Sequence, residues 1–77
     1  MLNKETLTYN QMVQGLREKV TACRIEIEAL KEEKTNVMFD YGVDGTEYDQ
    51  WIEEQHLEIQ RLHKLIINLQ EIYREVR

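Results

Sequence analysis

The chain contains no proline, no serine, three glycines and one cysteine in its 77 residues. Long helices tolerate such a composition, whereas a turn-rich β fold needs more glycine and proline. Cys23 has no second cysteine with which to form an intramolecular disulfide. Without serine, the chain also lacks the commonest hydroxyl nucleophile of hydrolases. These absences predict an all-α fold in a reducing compartment.

Long apolar runs are missing as well. The longest, Leu65-Ile66-Ile67, is far shorter than the roughly 18 residues that a membrane span requires. Residues 1–6 include no apolar stretch of signal-peptide length. We therefore expect a cytoplasmic protein with no membrane partner. A formal net charge of −5 disfavours a general nucleic-acid binder.

Apolar residues recur at alternating steps of three and four in two parts of the chain, each with one polar interruption. The first series is Tyr9, Val13, Leu16, Val20, Cys23, Ile27, Leu30, Lys34 and Val37; the second is Tyr48, Ile52, Gln55, Ile59, Leu62, Ile66, Leu69, Tyr73 and Val76. This heptad spacing predicts two helices packed as a coiled coil. We predict a single domain over 1–77, with helix one at about 6–37, a turn at about 38–46 and helix two at about 47–76.

The segment between the two series carries turn residues, including Gly42, Asp44 and Gly45. Thr46 is followed three residues later by Asp49, which resembles a capping box at the start of helix two. The chain is therefore expected to fold back at Asp44–Gly45 into an antiparallel hairpin.

Two registers of that hairpin keep the apolar seams together. If paired residue numbers sum to 89, the polar residues Lys34 and Gln55 face each other and every other layer is apolar. If the numbers sum to 82, Ile27 faces Gln55 and Lys34 faces Tyr48. We predict the first register because it pairs the two polar residues.

Apolar residues outside the seam indicate self-association. Dimerisation of the hairpin into a four-helix bundle would cover an oligomer face that we assign to Met12, Leu65, Ile67 and Ile72. The same stripe could instead receive a helix from another protein. A parallel dimer of helix one is a further alternative, because its a positions are β-branched and leucine occupies two of its d positions.

Charge and aromatic residues concentrate at the predicted turn. No lysine or arginine lies between Lys34 and Arg61, where seven acidic residues occur, and four of the six aromatic residues lie there too. Acidic and aromatic side chains together are typical of a surface that binds a basic protein. Alternatively, the rings close the core and the acids only solubilise it. The predicted partner-binding tip comprises Phe39, Asp40, Tyr41, Asp44, Glu47, Tyr48, Trp51 and Glu54.

Motifs for catalysis or metal binding are incomplete. Asp40, Asp44 and Gly45 match parts of an EF-hand loop, but Trp51 stands where the bidentate glutamate is required. Glu53-x-x-His56 has the spacing of di-iron bundles without matching inward glutamates. Cys23 belongs in the seam, where a buried thiol is inert. We expect no enzyme activity, no cofactor and no metal.

These observations predict a non-enzymatic protein-interaction module, by analogy an inhibitor, an antitoxin or a phage-type accessory protein, whose partner is a basic or nucleic-acid-binding protein. A dimer of such hairpins resembles the Rop-like RNA-binding bundles in architecture. The alternative function is therefore RNA or DNA binding through a basic stripe of Arg17, Arg24 and Lys31, although the net charge disfavours it. His56 and His63, seven residues apart, could make an interface edge sensitive to pH. A structural assembly component is the third possibility.

Overall fold

Two helices form an antiparallel hairpin. The structure is a computed structural model that describes the backbone of residues 4–76 and the side chains of residues 8–74, so residues 1–3 and 77 of the predicted domain lie outside it. Helix α1 spans Lys4–Tyr41 and helix α2 spans Thr46–Val76. The Cα atoms extend over 58 × 19 × 9 Å, which corresponds to a layer one helix thick. The predicted all-α fold with two packed helices is confirmed.

Helix α1 ends later than the sequence predicted. It continues through Tyr41, four residues past the predicted end at 37, and the predicted turn at 38–46 contracts to residues 42–45. Gly42 adopts φ = +63°, and its N–H donates to the carbonyl of Met38 at 3.1 Å. A left-handed residue that closes this bond is a standard helix stop, and glycine adopts the conformation without strain. Gly42 is the first glycine after Gly15, so nothing in the intervening sequence ends the helix sooner.

Alanine substitutions at Gly42 and Gly15 should change stability in opposite directions. A Cβ at either position meets no atom within 4 Å, so packing does not distinguish them. Gly42→Ala places an alanine at positive φ and should cost about 1–2 kcal/mol. Gly15→Ala, in the helix interior, should gain up to about 1 kcal/mol. Urea unfolding followed by circular dichroism measures both; a stable Gly42→Ala protein would contradict the assigned helix stop.

The core is a single row of side chains along the seam. Among residues 8–74, six apolar residues are buried, and Leu62 is the most enclosed, with 1% of its surface exposed; the six are Val13, Val20, Ile27, Leu30, Leu62 and Ile66. All six belong to the two predicted heptad series. Since the molecule is one layer thick, both broad faces of the hairpin remain open to solvent.

The predicted pairing register is wrong by one heptad. The rings of Tyr9 and Tyr73 stack with their centroids 4.1 Å apart, and Lys34 Nζ lies 2.5 Å from Asp49 Oδ1. The numbers of these pairs sum to 82 and 83, not 89. Lys34 therefore lies beside the first turn of α2 and not beside Gln55.

The short connection explains this register. Gly45 is buried, and a Cβ built there would lie 2.6 Å from Cε of Lys34 and 3.0 Å from Sδ of Met38. The start of α2 therefore packs on α1 above Lys34 and Met38, one turn before α1 ends. In this register Lys34 gains Asp49 as a partner. A carboxylate forms a stronger hydrogen bond with a charged amine than the side-chain amide of Gln55 would.

Candidate functional site

The last turn of α1 extends beyond the start of α2. Because α2 begins over Lys34 and Met38, residues 39–41 overhang the end of the seam. Phe39 is 88% exposed and Tyr41 is 76% exposed, the highest values among the large apolar side chains that the structure describes. These two rings therefore do not close the core, contrary to the alternative reading of the sequence.

The other two aromatic residues of the predicted tip lie on α2. Tyr48 is half-buried, and Trp51 is 43% exposed. Their rings meet edge to face, with centroids 5.1 Å apart and an interplanar angle of 78°. This geometry is a favourable aromatic pairing, so Tyr48 holds the indole of Trp51 in place at the surface.

Asp44 caps α2. Its Oδ1 accepts a hydrogen bond from the backbone N–H of Thr46 at 2.8 Å and another from the Thr46 hydroxyl. The Thr46 hydroxyl and N–H, followed by coulombic attraction from Lys34, hold the pKa of the Asp44 carboxyl below its ordinary value. The resemblance of Thr46 and Asp49 to a capping box was misleading, since the Asp49 carboxylate binds Lys34 instead. Asp44 thus has a structural role within the predicted tip.

Removing the Asp44 cap should destabilise the hairpin in a pH-dependent way. A carboxyl with a lowered pKa in the folded state contributes stability above its unfolded pKa and loses it as pH falls through the folded value. Asp44→Ala should therefore lower the melting temperature at neutral pH, and the difference from wild type should shrink below about pH 4. Asp40→Ala is the matched control, because an acid in the last turn of a helix gains nothing from the dipole. A pH-independent difference would refute the cap.

The remaining acids of the tip are exposed. Asp40, Glu47 and Glu54 are exposed, and among the described interactions none of them forms an ion pair. Asp40 lies between Phe39 and Tyr41 in the last turn of α1, and Glu47 and Glu54 lie in the first three turns of α2. The negative charge at the turn end of the hairpin is smaller than the sequence predicted, because Lys34 forms an ion pair with Asp49 there.

Glu58 lies at the base of this acidic stretch and is paired with a base. Its carboxylate accepts a hydrogen bond from Nε of Arg61 at 3.0 Å and a second from the other end of the guanidinium. These bonds, followed by attraction from Arg61 and Lys19, lower the pKa of Glu58. Glu58 is therefore not one of the acids available to a partner.

One broad face carries an open, largely apolar groove of about 370 Å³, which we call the apolar face. The groove is lined by Gln11, Met12, Gly15, Leu16, Lys19, Leu65 and Leu69. Met12 and Leu65, both predicted for the oligomer face, meet here. Ile72 follows Leu65 by seven residues and lies on the same side of α2. Ile67 is turned about 200° from Leu65 around the helix axis, so the four residues predicted for the oligomer face do not form one surface.

The opposite broad face is basic. Two neighbouring grooves run along it: Arg17, Arg24 and His63 line one, and Arg24, Lys31 and His56 line the next. We call this set the basic face. The sequence indicated the stripe and the histidine pair separately. The stripe and the histidines share one face because e positions face e positions across an antiparallel seam. This rule could have been applied to the sequence alone.

Possible metal ligands, the cysteine and the apolar length of the helices are the remaining features of the described residues. Among residues 8–74, no three histidine, cysteine, aspartate or glutamate side chains cluster in a way that could hold a metal ion. Cys23 is half-buried in the seam and unbonded. Neither helix, over its described length, has a segment sufficiently apolar to cross a bilayer.

Comparisons with known protein families, with curated proteins and with solved structures gave no significant match.

Proposed function

We propose that the protein is a non-enzymatic interaction module that binds a protein partner through its acidic aromatic tip. The observation that supports this most strongly is the overhanging last turn of α1, on which Phe39 and Tyr41 are 88% and 76% exposed. Burying rings of this size is strongly favourable, and leaving them in water brings the isolated chain no stability. Exposed aromatic residues on a rigid helical turn are typical of binding hot spots.

The surrounding charge indicates the chemistry of the partner. Asp40, Glu47 and Glu54 flank the rings, so a basic surface would be attracted to the tip over a distance and then anchored by apolar burial. An inhibitor or antitoxin that covers the basic surface of a nucleic-acid-binding protein is the concrete form of the proposal. The test is loss of partner binding when Phe39 and Tyr41 are replaced.

We further propose that the protein is a homodimer that buries the apolar face in a four-helix bundle. The chain exposes 6338 Å², against about 5000 Å² for a compact monomer of its mass. A face of 58 × 19 Å offers about 1100 Å² in each protomer, above the roughly 800 Å² of a standard interface. Sedimentation equilibrium tests this state.

The choice of face follows from charge. A two-fold dimer brings the same patch of both copies together, so the basic face would oppose its own cations. The apolar face carries charges of both signs, since Lys19 lies near Glu58 and Glu58 binds Arg61. Pairing through the apolar face leaves the basic face uncovered, whereas Trp51, two heptads before Leu65, lies on the paired side of α2.

A second candidate function, nucleic-acid binding, is favoured by one observation. Arg17, Arg24 and Lys31 line consecutive grooves of one face together with His56 and His63. A line of cations on a straight helix suits a backbone of phosphates. A gel-shift titration against salt tests it, because binding through the basic face should weaken as salt rises.

A further inference from the structure

The basic face is a regular array of charge. Arg17, Arg24 and Lys31 follow one another at seven-residue steps, which place them about 10.5 Å apart along the axis of α1. His56 and His63 on α2 repeat the same step and stand across the grooves from them. Five ionisable cationic groups thus form two parallel rows on one side of the hairpin.

The groups that face each histidine are mostly cationic. His63 faces Arg17 and Arg24 of α1, and the residues three and four positions away from it on α2 are uncharged. His56 faces Arg24, Lys31 and Glu28 of α1, and Glu53 lies one turn away on its own helix.

Glu28 and Glu53 are the carboxylates one turn from members of these rows, and Glu18 and Glu32 follow Arg17 and Lys31 directly in the sequence. Glu28 forms an ion pair with Lys31 at 3.7 Å, which leaves Glu53 as the one acid beside His56 without a cationic partner among the described ion pairs. Protonation of both histidines would therefore increase the number of cationic groups in these rows from three to five.

We propose that the basic face binds the phosphate backbone of a nucleic-acid duplex, and that protonation of His56 and His63 controls its affinity. This inference rests on the second candidate function above and adds its regulation. A phosphate chain attracts the protonated form of each imidazole, so binding strengthens as pH falls through the range in which histidine takes up a proton. Without the imidazolium charges only Arg17, Arg24 and Lys31 attract the phosphates, so the site binds more weakly.

Charge and the lack of exposed apolar anchors favour nucleic acid over an acidic protein. Val20, Ile27 and Ile66, which line the grooves, are buried in the seam, and Ile59 is half-buried. Ile67, which is 52% exposed one turn from His63, lines neither groove. A protein partner would be expected to find an exposed aromatic or aliphatic anchor here, as the tip provides. A repeating polyanion needs only the cations.

Fluorescence anisotropy with a labelled DNA duplex of about 20 base pairs tests the inference at about pH 5.5 and pH 8.0. At about 50 mM salt, each added phosphate contact should strengthen binding on the order of tenfold, so acidification should tighten it on the order of 10- to 100-fold. The slope of log K against log salt should change from about −2.7 for three contacts at pH 8.0 to about −4.5 for five at pH 5.5.

Three variants separate the parts of the site. His56→Gln with His63→Gln should bind at both pH values as wild type binds at pH 8.0, which also controls for other groups that titrate. Arg24→Gln should weaken binding on the order of tenfold at both, because Arg24 lines both grooves. Lys64→Gln is the matched control for net charge: it removes one cation of α2 outside both grooves and should bind normally.

The outcomes are distinct. If wild type does not bind the duplex at either pH, both the inference and the second candidate function fail. Equal binding at the two pH values, or unchanged pH dependence in the double histidine variant, overturns the regulation alone. Binding of poly-glutamate in place of the duplex would show that the ligand is an acidic protein. None of these results bears on the tip.

Discussion

Replacing both Phe39 and Tyr41 by alanine should abolish binding of the protein partner while the hairpin keeps its melting temperature. The two side chains are 88% and 76% exposed, so their removal takes almost nothing from the core. Aromatic hot-spot residues cost about 2 kcal/mol or more each when truncated. The double substitution should therefore weaken binding on the order of 1000-fold.

The experiment needs a partner recovered with the tagged wild-type protein from its native cell and then purified. Binding isotherms with that partner compare wild type, the double variant and Ile25→Ala. Ile25 is the matched control, because it is 66% exposed on the same helix but lies more than three turns from the tip. Equal losses for Ile25→Ala and the double variant, or full binding by the double variant, would exclude the tip as the binding surface.

Leu65→Glu should convert the dimer into a monomer. Leu65 lines the apolar face, and a two-fold dimer would bury the introduced carboxylate twice among apolar side chains, with Lys19 as the one basic residue of the groove. We expect the dissociation constant of the dimer to rise on the order of 10- to 100-fold, since desolvating a carboxylate costs several kcal/mol, of which pairing with Lys19 recovers only part. Sedimentation equilibrium over a range of protein concentrations measures this change.

Leu57→Glu provides the control for that substitution. Leu57 is 53% exposed on α2 and lies about 80° around the helix from Leu65, outside the apolar groove. It should remain dimeric, as should Ile67→Glu on the far side of the helix. If Ile67→Glu dissociates while Leu65→Glu stays dimeric, the interface lies on the other face of the hairpin. If the wild-type protein is monomeric, the dimer is refuted.

The heptad pattern was sufficient to predict two helices but not their register. A seam with a repeat of seven residues matches its partner equally well after a slide of one heptad, so the apolar pattern could not choose between sums of 82 and 89. The prediction chose 89 because that register pairs Lys34 with Gln55, the two polar residues of the seam, but it took no account of residues outside the seam. Contacts outside the apolar seam determine the register: Asp49 binds Lys34, and the short turn places Gly45 against Met38.

The composition of the tip was predictable, whereas its shape was not. Counting charges and rings located the eight residues of the tip. The end of α1 was placed where the heptad series stops, at Val37, although Gly42 is the first glycine after Gly15. The extension of α1 through Tyr41 depends on Gly42 as the helix stop, and the overhang depends on the register. Asp44 shows the limit in another way: its acidity suggested partner binding, yet its carboxylate caps α2.

The register therefore decides whether the tip exists as a projecting surface. With sums near 82, Phe39 and Tyr41 lie beyond the start of α2, whereas with a sum of 89 Tyr41 would face Tyr48 inside the seam. Exposure of these two rings is the physical basis of the proposed function.

A zero-length carbodiimide cross-link followed by peptide mass mapping measures the register directly. Lys34 Nζ lies 2.5 Å from Asp49 Oδ1, so we predict an intramolecular amide between these two residues. A cross-link from Lys34 to Glu54, beside Gln55, without one to Asp49 would restore the other register. Tyr41 would then face Tyr48 in the seam, and the proposed projecting tip would be contradicted.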